Sequence, residues 1–279
     1  DFIHRWEPKS KHKDQLNNSF IAAGVAVGDI DNDGLPDVFL SRQADGGRLY
    51  KNLGNFRFED ITIKSGIKSD DMWSTGVTFA DVNNDGWLDI FICGFDSPNR
   101  LYINQKTSFK ESAEDYGLNY KGASVVMSFS DFDLDGDLDA YLLTNRLENT
   151  GATSKAKIIK DRSKPLQVHS GSRELGYFVR PPGRMPLLIN AGQYDYLYRN
   201  DNGRFVDITV ESGIGKNPYY GLSSTWWDYN NDGKPDLYVA NDYMGPDHLF
   251  RNEGLDSSGN IKFVDVIEEA VPYTPWFSM

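Results

Sequence analysis

One cysteine in 279 residues rules out a disulfide framework within the chain. That residue, Cys93, lies in the apolar run Ile90-Phe91-Ile92-Cys93, where a small buried core side chain is expected. Histidine is nearly as scarce: His4, His12, His169 and His248 fall at no zinc-ligand spacing, so a zinc site is not expected. No run approaches the roughly eighteen apolar residues of a membrane helix, so no membrane span is expected. No signal peptide is expected in this stretch, and a mature chain would have lost one. Nucleophile elbows of the Gly-x-Ser-x-Gly kind and phosphate-binding glycine loops are also missing. Positive charge is short, 29 Lys and Arg against 41 Asp and Glu, and the net charge of −12 argues against nucleic acid as a partner. Finally, no stretch sustains a 3.6-residue apolar period, which excludes a helical solenoid.

The chain does contain enough apolar residues for a substantial core, 39% hydrophobic and 13% aromatic, so it is globular and not an acidic tail. Its acidity is concentrated in four copies of one nonapeptide, which begin at Asp29, Asp81, Asp131 and Asp228. The first reads Asp-Ile-Asp-Asn-Asp-Gly-Leu-Pro-Asp and the third Asp-Phe-Asp-Leu-Asp-Gly-Asp-Leu-Asp. Oxygen-bearing side chains stand at positions 1, 3, 5 and 9 of every copy, with Gly at position 6. Calcium takes six to eight oxygen ligands, and a sharp turn at glycine lets successive carboxylates converge on one point. The expected ligands are Asp29, Asp31, Asp33 and Asp37; Asp81, Asn83, Asp85 and Asp89; Asp131, Asp133, Asp135 and Asp139; and Asp228, Asn230, Asp232 and Asp236. The position-7 carbonyls of Leu35, Trp87, Asp137 and Lys234 complete the four sets, for about four Ca2+ ions. A metal-free Asx-rich turn would explain one copy. Four copies with one spacing favour the cation, and repetition in every unit favours a structural role over a catalytic one. Aspartate at position 3 of the first and third loops is expected to bind more tightly than asparagine in the second and fourth.

An EF-hand reading fails. Position 12 is apolar in each copy (Leu40, Ile92, Leu142, Val239), where a bidentate Glu is needed, and the flanks are short β-branched and aromatic segments. Each loop is therefore expected to connect a β-hairpin. Each is followed by a Leu-Tyr-x-Asn or Leu-Phe-x-Asn segment ending at Asn52, Asn104, Asn200 or Asn252, and then by a strand beginning at Phe58, Phe109, Phe205 or Phe263. Four strands in each unit of about fifty residues is the period of a β-propeller blade. The expected fold is all-β, a single propeller segment over 1–279. Its repeats run at about 20–67, 73–118, 122–214 and 220–271, and an insertion at 147–193 interrupts the third.

These units resemble FG-GAP or VCBS-type repeats, the calcium-loop blades of integrin α-subunit propellers and of many secreted bacterial proteins. Tyr220-Gly-Leu-Ser-Ser-Thr-Trp-Trp-Asp228 and the ending Pro272-Tyr-Thr-Pro-Trp-Phe-Ser-Met279 are similar to bacterial surface proteins that pair such repeats with an ASPIC/UnbV segment. The cartilage acidic proteins are similar animal relatives. The resemblance implies a calcium-binding propeller and no particular ligand. Four blades fall short of a seven-bladed ring, and Trp276-Phe-Ser-Met279 lines up with the segment that opens the second unit, so the chain is expected to continue into further domains.

Calcium loops without a sensor's helices suit millimolar calcium, hence an extracellular, cell-surface or periplasmic place. The expected role is a binding or adhesion scaffold for protein or carbohydrate. One alternative is a polysaccharide lyase on a propeller scaffold, with His169, Tyr177, Arg180 and Arg184 of the insertion as residue types suited to proton abstraction and charge neutralisation. Another is a structural spacer in a larger surface assembly. The insertion is basic (Lys155, Lys157, Lys160, Arg162, Lys164, Arg173, Arg180, Arg184) and is expected on one propeller face. Of Trp226 and Trp227, on opposite faces of one strand, at least one is expected between blades, whereas Trp87 is expected to be exposed. Asn17-Asn-Ser19 is a glycosylation sequon that matters only in a eukaryotic secretory host.

Overall fold

A computed structural model of the chain describes residues 23–43, 46–147, 152–160, 163, 165–179, 185–242 and 245–271. The sequon at Asn17, the segment from Pro272 to Met279, and Arg162, Lys164, Arg180 and Arg184 lie outside the described residues.

The described chain is all-β apart from very short helical turns, and it consists of four four-stranded antiparallel units. Unit 1 contains β1 (Val25–Gly28), β2 (Asp37–Ser41), β3 (Gly47–Asn52) and β4 (Phe58–Asp60). Unit 2 contains β5 (Ser74–Ala80), β6 (Asp89–Pro98), β7 (Arg100–Asn104) and β8 (Phe109–Glu111). Unit 3 opens with β9 (Lys121–Ser130) and β10 (Asp139–Thr144). The insertion then adds two small hairpins, β11 (Ile158–Ile159) with β12 (Gln167–Val168) and β13 (Gly176–Val179) with β14 (Leu187–Asn190). Unit 3 closes with β15 (Tyr196–Asn200) and β16 (Phe205–Asp207). Unit 4 contains β17 (Gly221–Trp227), β18 (Asp236–Asn241), β19 (His248–Leu255) and β20 (Ile261–Asp265).

Neighbouring units pack face to face, and the core lies between them. Phe39 and Leu49 of unit 1 meet Ile90, Ile92 and Tyr102 of unit 2. From the same strand β6, Phe91 and Cys93 point the other way, to Met127, Ala140 and Leu142 of unit 3. Tyr141, Leu143 and Leu197 of unit 3 then meet Leu237, Val239 and Phe250 of unit 4. Side chains alternate across a strand, so a strand with a neighbour on each side must be apolar at every position. This explains the unbroken apolar runs of β6 and β10, every residue of β10 being buried. In β2 and β18, each with a unit on one side only among the described residues, burial alternates over much of the strand.

Two devices tie the units together. The first strands lie close: a Cβ on Gly76 would meet the Val125 carbonyl oxygen at 2.1 Å, and Thr75 Oγ1 donates to the Ser124 carbonyl at 2.7 Å. β6 also runs on past its hairpin to pair with the start of β9, Phe95 opposite Ala123, which merges units 2 and 3 into one eight-stranded sheet. At the outer edge, the closing turn of each unit reaches the last strand of the next. Gly66, Gly117 and Gly213 have positive φ, and a Cβ on each would meet the carbonyl oxygen of Phe109, Phe205 or Phe263 at 3.1, 2.8 and 2.7 Å. Only glycine meets both demands there. The whole is consistent with a propeller-like arrangement.

Trp226 stacks on Phe132 at 5.7 Å between units 3 and 4, while Trp227 is 41% exposed. Trp87 departs from expectation. It is half-buried, because the Lys106 ammonium lies over its ring at 5.5 Å. The insertion leaves from the end of β10 remote from the acidic loop, so it emerges at the rim opposite the loops. Tyr177 anchors it edge-on against Tyr219, 5.0 Å away at the start of unit 4.

Candidate metal centre

All four nonapeptides form the turn between the first two strands of their unit, in one register. The residue before position 1 pairs with position 9 each time: Gly28 with Asp37, Ala80 with Asp89, Ser130 with Asp139 and Trp227 with Asp236. Inside the turn the carboxylates organise the backbone. The position-1 side chain accepts from the amides of positions 5 and 6, as Asp29 does from Asp33 at 3.1 Å and Gly34 at 2.7 Å. The position-5 side chain accepts from the position-7 amide at 2.9 to 3.1 Å in every copy. Position 4 is left-handed throughout, at Asn32, Asn84, Leu134 and Asn231.

Position 9 is the most buried member, fully enclosed in all four units. Its two oxygens accept from the position-2 amide and from the backbone amide of the third strand's asparagine. For Asp139 these are Phe132 at 3.1 Å and Asn200 at 2.8 Å. That asparagine is a functional residue whose partners the sequence did not reveal. Its side-chain amide donates to the position-8 carbonyl of its own loop and to the position-2 carbonyl of the loop before. Asn104 bridges Leu88 and Ile30, Asn200 bridges Leu138 and Val82, and Asn252 bridges Pro235 and Phe132. The bonded residues are up to 120 positions apart in the chain, and the only local signal is the recurrent Leu-Tyr-x-Asn.

The loops differ in how their negative charge is met. In loop 1 the Lys51 ammonium contacts Asp31 and lies 3.1 Å from Asp33, and the Asp33 carboxyl is held below its ordinary pKa, mainly by that lysine. In loop 2 the position-3 amide serves: Asn83 donates to Asp85 at 3.0 Å and accepts from its backbone amide at 3.2 Å. Loop 4 combines both, through Asn230 and through Lys234, whose ammonium is 2.5 Å from Asp232. Loop 3 has five carboxylates and neither device. Asp131, Asp133 and Asp139 bring oxygens within 4.8 Å of one another, as Asp29, Asp31 and Asp33 do in loop 1. Buried oxygens of Asp31, Asp133 and Asp137 accept no hydrogen bond among the described residues. Desolvation, then repulsion from Asp135, raises Asp137 to about 6. Desolvation raises Asp139 to about 8 against the pull of its backbone donors.

Three converging carboxylates with unmet oxygens fit a hard divalent cation and suit no neutral partner. Loop 1 thus gathers the side chains of positions 1, 3 and 5, and loop 3 those of positions 1, 3 and 9. Position 9 joins its group in loop 3, whereas the loop 1 group does not include Asp37.

The FG-GAP-like repeat family matches the chain at residues 29–92, 81–142 and 183–239, which together take in more than half of it. The chain belongs to the FG-GAP-like repeat family. Each matched stretch includes at least one acidic loop or the strands around it. Cartilage acidic protein 1 of Xenopus tropicalis is 27% identical over 140 residues, 50% of this chain and 22% of that protein. Its human counterpart is 27% identical over 140 residues, 49% of this chain and 21% of its own length. The FG-GAP-like chain thus spans about a fifth of these relatives. Among solved structures, the V. cholerae biofilm matrix protein Bap1 aligns with 86% of this chain and 38% of its own, at 15% identity and a TM-score of 0.35.

Of the residues weighed for a lyase, His169 and Tyr177 are among the described residues. His169 is exposed and its Nδ1 accepts from the Gly171 amide at 3.2 Å, as a cap on a helical turn. Tyr177 is packed among the tyrosines of unit 4. Among the described residues, no helix is long and apolar enough to cross a membrane.

Proposed function

We propose that this chain is a calcium-stabilised segment of an extracellular β-propeller, and that it serves as a scaffold for binding or adhesion. The observation that carries the reading is loop 3. Oxygens of Asp131, Asp133 and Asp139 converge within 4.8 Å, and among the described residues no donor reaches the buried Asp133 and Asp137 oxygens. Asp131, Asp133, Asp135 and Asp139, with the Asp137 carbonyl, would hold the ion there, and the corresponding residues of the other loops would hold three more. A bound cation supplies charge neutralisation and locks the turn; the chain's own residues supply the register, the Asn clamps and the packed units. Such loops suit millimolar calcium, which supports an extracellular place. Side-by-side stacking of four units supports a partial ring, and a seven-bladed ring needs further units. The ligand classes in view are protein and carbohydrate, with the basic insertion on the rim opposite the loops as the contact region.

Isothermal titration of chelator-treated protein with calcium tests the metal reading. Heat of binding at up to four sites is expected, lost selectively from the tightest site by Asp133→Ala. Titration without heat, together with metal-free protein by elemental analysis, would overturn it.

A further inference from the structure

The acidic loops are joined to one another by the side chain at position 4. Asn32 Nδ2 of loop 1 donates to the carbonyl of Gly86, position 6 of loop 2, at 3.2 Å. Asn84 Nδ2 of loop 2 repeats the contact on Gly136 of loop 3 at 2.9 Å. The series then stops, because position 4 of loop 3 is Leu134, which has no donor and is 57% exposed in a left-handed backbone (φ 63°). A leucine gains nothing from that conformation, which asparagine adopts readily. The boundary itself is intact: Asn252 of unit 4 reaches the Phe132 carbonyl of loop 3 at 2.7 Å, as its counterparts do elsewhere.

Position 6 is a sensitive place to hold. Its amide is fixed by the position-1 carboxylate, Gly86 to Asp81 at 2.8 Å and Gly136 to Asp131 at 3.1 Å. Its carbonyl belongs to the peptide that leads to position 7, whose own amide rests on position 5. A donor on that carbonyl therefore clamps the peptide plane between the position-1 and position-5 carboxylates from outside the loop. We infer that Asn32 and Asn84 are positioning residues for the cation sites of loops 2 and 3, each bracing the loop of the next unit, and that Leu134 leaves loop 4 unbraced. This rests on the calcium reading for its effect on affinity, and on geometry alone for its effect on the loop. The position-4 braces then couple loop 1 with loop 2 and loop 2 with loop 3, and no such brace couples loop 3 with loop 4.

The test uses the whole chain and terbium(III), a luminescent stand-in for calcium that a nearby tryptophan sensitises. Trp87 sits in loop 2, and Trp227 precedes loop 4. A Trp226→Phe, Trp227→Phe background reports loop 2 through Trp87, and a Trp87→Phe, Trp226→Phe background reports loop 4 through Trp227. Asn32→Ala should weaken terbium binding at loop 2 by about 3- to 10-fold, the span of an ordinary hydrogen bond's net worth, and leave loop 4 unchanged. Leu134→Asn should strengthen loop 4 by a similar factor. In calcium-free buffer, Asn32→Ala should also speed hydrogen exchange at the Trp87 amide. If no loop binds terbium or calcium but exchange at Trp87 still rises, the calcium reading fails and the brace stands. Unchanged exchange at Trp87 overturns the brace whether or not metal binds. Unchanged loop 2 affinity with faster exchange overturns its role in positioning the site.

Discussion

Loop 1 and loop 3 share a backbone, a register and three converging carboxylates, yet they solve the same charge problem in opposite ways. Loop 1 has a lysine from its own unit, Lys51, lying across Asp31 and Asp33. Loop 3 has a fifth carboxylate, Asp137, and the residue equivalent to Lys51 is Arg199, which turns away to Asp201 at 2.6 Å. The lesson is that ligand spacing alone does not rank these sites. Asp at position 3 makes loops 1 and 3 look alike, but a tethered ammonium in one of them must be displaced before a divalent ion can enter.

The largest expected effect that tests this comparison is chelation. An ion bound only by the folded state adds about 2.7 kcal/mol per site at a hundredfold excess over Kd. Excess chelator is therefore expected to lower the melting temperature substantially, and Asp131→Ala or Asp133→Ala to do so partially. A thermal melt with and without calcium measures it, and an unchanged midpoint would remove the structural role of the ions.

Next comes position 9. Asp37 and Asp139 each accept two backbone amides, Asp37 from Ile30 at 3.1 Å and from Asn52 at 2.7 Å. In chelator, either change to Ala orphans those amides, at a cost of about 1–3 kcal/mol each where they are buried. The two variants should be similarly destabilised by urea titration without metal. In calcium, Asp139→Ala should lose more than Asp37→Ala, because Asp139 belongs to its carboxylate group and Asp37 does not. Equal losses in calcium would dissolve the distinction between the loops.

Lys51→Met is a smaller change with a sharper meaning. Removing the resident ammonium should tighten loop 1 by about tenfold, about 1.4 kcal/mol, and leave loop 3 alone. Calcium added to the wild type should in turn free Lys51 for reductive methylation. If Lys51 is equally reactive with and without calcium, it does not compete for the loop.

The smallest expected difference is in the pH profile. The folded-state pKa values of Asp137 and Asp139 are raised, to about 6 and about 8. Without metal the folded state therefore binds more protons than the unfolded one from about pH 4 upward, and loop 3's contribution to stability falls as pH rises through those values. Asp33 in loop 1 is lowered by Lys51, so its contribution is present above the ordinary carboxylate pKa of about 3.9 and fades as pH falls below it. Asp139→Asn should flatten the decline between pH 5 and 8 (roughly the window of those shifts) in urea titrations made in chelator. A decline that persists unaltered would assign it to other groups, of which buried Asp195, raised to about 7 by desolvation, is the first to try.

Much of this molecule is legible in the sequence, for a physical reason. A tight turn around converging carboxylates needs particular residues at particular spacings, and four repetitions expose the rule. The strands are legible because β6 and β10 carry unbroken apolar runs, Ile90 to Cys93 and Ala140 to Leu143. Contacts between distant residues are not: the bridge from Asn252 to Phe132 and the lysine across loop 1 depend on which units become neighbours. Asp195 and Asp247, which receive Tyr141 and Tyr238 hydroxyls at 2.9 and 2.6 Å, lie outside the nonapeptides and carried no local signal. The half-burial of Trp87 went unforeseen because Lys106 covers it from the turn between β7 and β8.

The glycine turns at the outer edge also have a consequence for the order of synthesis. Gly66, Gly117 and Gly213 each belong to the earlier unit and meet the last strand of the later one. A unit leaving the ribosome therefore finds its receptor already complete on its predecessor, and domains made N-terminal first can fold in that order. Removing unit 1 leaves unit 2 without its template and should expose it to protease, whereas removing unit 4 leaves units 2 and 3 with theirs and should not expose them. Equal resistance of the two shortened chains would mean that assembly has no preferred direction.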